Sequence, residues 1–258
     1  MKKLFLFFIL ILMAPIIINA QTSKVYDNLS LPSKILNMDR KYAIYLPPNY
    51  EFSQRTYPVL YLLHGGGDDQ TGWVQFGEVQ HITDKAIADA IATDMVIVMP
   101  DANTGTRGYF NDIRGKWNYE DFFFKEFMPF IEKTYRIKAE KRYRAVSGLS
   151  MGGGGTFLYA LHHPELFSSA CALSASVGPV DLKDAETRLK RTIPDATPAE
   201  IQKYYDTQNA LTLVNNMPVA DVKSVKWYID CGDDDFLFEI RLKSRSLINN
   251  SIMVSNQS

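Results

Sequence analysis

Arg142-Tyr143-Arg144-Ala145-Val146-Ser147-Gly148-Leu149-Ser150-Met151-Gly152-Gly153-Gly154-Gly155-Thr156 reads as a strand, a sharp turn and the start of a helix. Gly148 and Gly152 flank Ser150 in a G-x-S-x-G pattern. Such a turn crowds the positions two before and two after the serine, so both want a residue without a side chain. The serine is left at the head of a helix, where free N–H groups, that of Met151 first among them, and the positive end of the helix dipole favour a negative oxygen. The pattern therefore predicts a nucleophile elbow centred on Ser150.

A second motif lies upstream. Tyr57-Pro58-Val59-Leu60-Tyr61-Leu62-Leu63 is a short apolar strand that runs into His64-Gly65-Gly66-Gly67. In the α/β-hydrolase plan a turn of this kind gives the second half of an oxyanion hole, so the N–H of Gly65 or Gly66 is expected to join that of Met151. A lone G-x-S-x-G is a weak signal, and the two motifs in this order make a strong one.

The rest of the chain is organised around this pair. Arg40-Lys41-Tyr42-Ala43-Ile44-Tyr45-Leu46 alternates and is broken by Pro47-Pro48-Asn49-Tyr50, as in an antiparallel edge hairpin leading into a central strand. Residues 77–94 have helical spacing, with a stripe at Ile82, Ala86, Ile87, Ala90 and Ile91. Residues 95–101, Met-Val-Ile-Val-Met-Pro-Asp, read as a fully buried parallel strand. A helix is expected over residues 119–135, acidic in its first turn, with an apolar face of Phe123, Phe127, Phe130 and Ile131. Residues 170–175 and 225–232 read as further strands. The alternation predicts an α/β fold with a mostly parallel sheet covered by helices on both faces. Residues 177–216 form the longest excursion, in which Thr197-Pro198-Ala199-Glu200 is a capping box that opens a helix to about Tyr205. A cap over Ser150 and a plain surface crossover both fit this excursion.

Residues 1–20 have the layout of a signal peptide: Lys2 and Lys3, an apolar run over 4–18, and a small residue, Ala20, before Gln21. The run is shorter than the roughly 20 residues a spanning helix needs, and no cysteine follows it to carry a lipid. The expected product is a secreted or periplasmic single domain over residues 21–258, with no membrane attachment after cleavage. The whole chain carries 28 basic and 29 acidic residues. This balance shows none of the basic excess that nucleic-acid binding would need. Cys171 and Cys231, the only cysteines, sit in apolar stretches that read as buried strands and are expected as packed free thiols. No His/Asp/Glu cluster has metal-ligand spacing, so neither a metal nor another cofactor is expected. After the last strand come Asp233, Asp234 and Asp235, where the fold keeps its triad acid, with Asp235 the first choice.

These pieces together resemble the esterase family of α/β-hydrolases, in particular its carbohydrate-esterase branch of feruloyl and acetylxylan esterases. The matching stretches are residues 45–50, 57–67 with Trp73, 99–103, 148–153, 163–167 and 231–237. The resemblance implies Ser150 as nucleophile, Asp235 as acid, Met151 with Gly65 or Gly66 as oxyanion hole, and Trp73 with residues 103–117 lining the substrate cleft. The implied substrate is an acylated carbohydrate or a small ester. The same resemblance calls for a last strand, a last helix and a histidine after Asp235. The chain has four histidines, His64, His81, His162 and His163, and none follows Asp235. Sequence alone therefore expects a C-terminally incomplete fold with a crippled triad. A non-catalytic carbohydrate-binding relic or a gene fragment is the alternative.

Overall fold

Two unbroken apolar runs, β3 (Val59–Leu63) and β4 (Val96–Pro100), lie at the middle of a sheet because both of their faces can be buried. The computed structural model describes residues 22–103 and 108–232. β1 (Lys24–Ser33) and β2 (Met38–Leu46) form the antiparallel hairpin at one side, and β5 (Arg144–Leu149), β6 (Ser169–Leu173) and β7 (Lys226–Asp230) extend the other. The order is β1-β2-β4-β3-β5-β6-β7. β2 is antiparallel to both β1 and β4, and every other pair is parallel. This is the α/β-hydrolase arrangement.

The pleat sorts side chains to two faces. Val59, Tyr61 and Leu63 of β3 join Val96 and Val98 of β4 in one core, while Leu62 joins Ile97 and Met99 in another. The first core is covered by the aromatic segment α3 (Tyr119–Phe122) and α4 (Met128–Thr134), with Tyr61 edge-on to Phe123 at 5.2 Å between centroids. The second is covered by α1 (Gly72–Gln75) and α2 (Val79–Ala88). Between α3 and α4 the helix widens into a π-turn over Phe123–Phe127, where the Met128 N–H bonds the Phe123 carbonyl five residues back. Pro129 explains the slip. It has no N–H, and its ring would strike the carbonyl four residues earlier in a regular helix.

Two predicted helix faces are rotated. On α2 the buried residues are Val79 and Thr83, while Ile82 is 59% exposed and Ile91, beyond the helix, is 81% exposed. The polar contact that turns the helix is Asp84, whose carboxylate accepts from Tyr45 Oη and Ser23 Oγ at 2.7 Å each. In the aromatic segment Phe122, not Phe130, completes the buried face, because the π-turn shifts the register that plain 3.6-residue spacing assumed.

Beneath β3 and β5 lies a buried ion pair. Arg144 holds Glu132 through Nε and Nη2 at 2.5 and 2.8 Å, both side chains are 10% exposed, and Tyr61 Oη donates to the same carboxylate. Removing one partner strands the other charge in the core. Glu132→Ala is expected to destabilise the protein by about 3 kcal/mol, whereas Asp89→Ala, which breaks the exposed Lys85 pair, should cost under about 0.5 kcal/mol. Urea unfolding of the two variants beside the parent checks this, and equal midpoints would refute it.

Candidate active site

The elbow is built as its glycines require. β5 ends at Leu149, Ser150 takes φ 55° and ψ −107°, and α5 (Met151–His162) begins at the next residue. That backbone conformation is one an L-residue adopts only when its surroundings impose it, at a cost of about 1–3 kcal/mol. The restraint is a set of backbone bonds: Ser150 N–H donates to Leu173 O at 2.9 Å, and Ser150 O accepts from Gly154 N–H at 2.9 Å and Ser176 N–H at 3.1 Å. A Cβ on Gly148 would strike the Gly152 carbonyl, and one on Gly152 would strike Leu63 O and lie 2.7 Å from His64 O. The serine itself is half-buried rather than fully exposed.

Strand register brings the second motif to the first. Leu63 pairs with Gly148, so the turn after β3 and the elbow after β5 leave the sheet side by side at the same edge. A Cβ on Gly65 would lie 3.9 Å from Ser150 Cβ, and one on Gly66 would lie 4.0 Å from Met151 Cβ. Among the described residues no acceptor takes the N–H of Gly65 or Gly66. Met151, as the first residue of α5, has no intrahelical acceptor either. The Gly-rich turn and the start of α5 thus lie beside Ser150. The register continues across the sheet, with Leu149 opposite Leu173 and Leu173 opposite Asp230, so the chain leaves β7 at the same edge. Asp235, the expected acid, lies outside the described residues, as do residues 1–21 and the tail from 233 onward.

Each histidine has a structural partner or an outlying position. His64 is buried, its Nδ1–H donating to Gly65 O at 2.8 Å and its Nε2 accepting from Ala102 N–H at 3.0 Å. With both ring nitrogens engaged, it ties the Gly-rich turn to the end of β4. Tyr109, which the sequence reading did not single out, completes this bracket by accepting from the His64 N–H at 2.8 Å. His162 Nδ1 lies 2.7 Å from Glu120 Oε1, and that carboxylate raises the imidazole pKa against the opposing effect of burial. His163 sits 4.0 Å from the Phe124 ring centroid and 3.4 Å from Glu165. His81 is exposed on α2.

Trp73 lies where its indole N–H donates to Leu63 O at 3.0 Å, so it holds the last residue of β3 just before the Gly-rich turn. It packs half-buried on the Ala43, Leu62 and Ile97 cluster and lines neither of the two cavities described below. The long excursion folds as α6 (Leu182–Thr192), α7 (Pro198–Gln208) and α8 (Ala210–Asn216), followed by α9 (Val219–Lys223). The capping box at Thr197 and Glu200 is present, and its helix runs three residues past Tyr205. α6 and α7 pack on the segment 108–117 through Ile113, leaving cavities of about 150 and 260 Å³ between them. Arg114 clasps the two sides, donating to Glu200 at 2.8 and 3.2 Å and to Asp195 at 2.9 Å. Arg114, with the Thr197 N–H and hydroxyl, lowers the Glu200 carboxyl to about 2. A depressed folded pKa means the clasp is intact above the ordinary carboxylate range and is lost as pH falls toward that value.

Cys171 is half-buried on β6, while Cys231 lies just past the end of β7 rather than inside a strand, and the two are unbridged. Among the described residues no group of three His, Cys, Asp or Glu side chains is placed to hold a metal, and no helix is long and apolar enough to cross a membrane.

Comparison with known proteins identifies the fold and the family. An endo-1,4-β-xylanase/feruloyl esterase of Xylanibacter ruminicola is 37% identical over 153 residues, 55% of this chain and 20% of that protein. An esterase of Mycobacterium tuberculosis is 39% identical over 145 residues, 54% of this chain and 29% of that protein. The match thus spans under a third of these relatives' own length. A solved ferulic acid esterase aligns with a TM-score of 0.77 and 35% identity, covering 90% of this chain and 88% of that one. The S-formylglutathione hydrolase of Staphylococcus aureus, at 19% identity and a TM-score of 0.67, shares the fold. With residues 33–253 matching the family model described as "Putative esterase", the chain belongs to that esterase family.

Proposed function

We propose that this chain is an exported carboxylic ester hydrolase module acting on acylated carbohydrate or small esters, with residues 1–20 a signal peptide and residues 21–258 one esterase domain. Ser150 Oγ attacks the ester carbonyl. The N–H groups of Met151 and of Gly65 or Gly66 receive the oxyanion, and collapse of the tetrahedral intermediate expels the alkoxide, which takes up the proton lost by the serine by way of solvent water and leaves as the alcohol, giving an acyl-serine that water hydrolyses. Asp235 is the proposed acid, and Trp73 contributes to substrate binding from beside the Gly-rich turn. The observation that carries this reading is the pairing of Leu63 with Gly148, which brings the Gly-rich turn beside the strained Ser150. The relatives, a feruloyl esterase among them, support an ester substrate.

The proton acceptor is the weak member. Among the described residues His64 is locked by Gly65 and Ala102, and His162 and His163 are engaged by Glu120 and Glu165. This observation favours the second reading, a protein that binds acylated carbohydrate without turning it over. Incubation with p-nitrophenyl acetate followed by peptide mass analysis separates the two. An acetyl group on Ser150, absent from the Ser150→Ala variant, is the expected result, and no acylation after prolonged incubation would leave the binding reading.

A further inference from the structure

β3 pairs with β5 as far as Leu63 opposite Gly148, so the backbone of His64 lies one residue beyond the ladder. The residue is 2% exposed, and backbone polar groups at that depth need a partner. One phenol serves both of them. Tyr109 Oη accepts from the His64 N–H at 2.8 Å and donates to the His64 carbonyl at 3.3 Å. Burial pushes the phenol pKa well above the ordinary tyrosine value, which keeps the hydroxyl protonated and able to donate.

Tyr109 is itself fixed on three sides. Its ring stands edge-on to Tyr119 and Tyr159, at 5.6 and 6.3 Å between centroids. Just before it, the Gly108 carbonyl accepts from Trp117 Nε1–H at 3.0 Å. On the third side is the elbow helix, where a Cβ on Gly155 would lie 2.8 Å from Tyr109 Cβ. Tyr109 therefore touches both halves of the site, the helix that follows Ser150 and the Gly-rich turn.

What the hydroxyl holds decides where the donors of the turn point. In a planar trans peptide the C=O and N–H point in opposite directions, and no peptide bond among the described residues is cis. The His64 carbonyl shares a plane with the Gly65 N–H, and the Gly65 carbonyl shares one with the Gly66 N–H. Tyr109 holds the first carbonyl, and the His64 ring holds the second through Nδ1–H at 2.8 Å. The two planes are thus fixed in series, because the ring that holds the second is carried by the backbone that Tyr109 holds.

We infer that Tyr109 is a positioning residue for ester cleavage: by bonding both backbone groups of His64, its hydroxyl fixes the directions of the Gly65 and Gly66 N–H groups that face the oxyanion. This rests on the esterase reading. Tyr109→Phe keeps the ring and its packing and removes only the two hydrogen bonds. The variant is expected to fold, with exchange of the His64 amide hydrogen quickened at least about tenfold. Acetylation of Ser150 by p-nitrophenyl acetate, followed by intact mass, should slow about 30-fold at saturating ester, with the half-saturating concentration unchanged; outright loss of a donor costs roughly 10²–10³. Free imidazole supplies a base but no oxyanion donor, so the ratio should persist in its presence. Glu132→Ala separates aim from stability, since its lesion lies at Arg144, the opposite end of β5 from Ser150. Below its melting temperature it should acetylate at the parent rate. Equal acetylation rates in the parent and Tyr109→Phe, unchanged exchange at His64, or an equal fall in Glu132→Ala would overturn the inference. So would failure of Tyr109→Phe to fold, which would make the hydroxyl a structural group. A parent that never acetylates Ser150 would bring down the esterase reading and this inference together, a result distinct from a reactive parent that Tyr109→Phe leaves unaltered.

Discussion

The purified 258-residue chain is expected to turn over p-nitrophenyl acetate barely above the uncatalysed rate, with the residual activity lost in Ser150→Ala. In subtilisin, removing the base of the triad costs on the order of 10⁶ in kcat, and what remains comes from binding and the oxyanion hole. The same deficit is expected here because the imidazole beside the elbow is not free to take the Ser150 proton: His64 donates through Nδ1 and accepts through Nε2 inside the sheet edge. Adding free imidazole supplies the missing base from solution. It should raise the Ser150-dependent rate several-fold in the parent and leave Ser150→Ala unchanged. A kcat in the usual enzyme range of about 1–10³ s⁻¹ without imidazole would refute this and direct attention to His81 or His64 as a working base.

Gly152→Ala is expected to be strongly destabilising. Its added carbon would strike the Leu63 carbonyl and sit 2.7 Å from that of His64, both backbone atoms of the β3 exit, so no side chain can swing aside. Overpacking of this kind costs about 1–3 kcal/mol and more where the obstacle is rigid. At about 2–4 °C per kcal/mol for a chain of this size, a cost of about 3 kcal/mol at so rigid an obstacle should lower the melting temperature by roughly 6–12 °C. Gly66→Ala is the control. Its Cβ would stand 4.0 Å from Met151 Cβ and should change stability by under about 0.5 kcal/mol. Equal melting temperatures for the two variants would show that the elbow is not held by the close approach of β3.

The local chemistry was legible in the sequence because it depends on residue type at fixed spacing. Gly148 and Gly152 announce the elbow since no other residue fits where backbone crosses backbone, and Thr197 with Glu200 announces a helix start since the two side chains satisfy each other's N–H groups. The buried strands β3 and β4 were equally plain as unbroken apolar runs. The rotated face of α2 was not, because Asp84 turns that helix through contacts with Ser23 and Tyr45, at sequence separations of 61 and 39 residues. Nor was the π-turn read, although Pro129 was its signal, because a missing N–H can be met by a kink, a break or a widened turn and only the aromatic packing around Phe123 and Phe127 selects among them. The fate of the histidines was decided by tertiary structure for a similar reason. Whether an imidazole serves as a base or as a brace depends on what meets its two nitrogens, and for His64 one partner, Gly65 O, is next in the chain while the other, the Ala102 N–H, arrives only when β3 and β4 pair. The cleft between residues 108–117 and α6–α7 is likewise a product of the fold: Arg114, Asp195 and Glu200 carry no spacing that links them, and their attraction acts only once two distant segments have been packed on the same edge of the sheet.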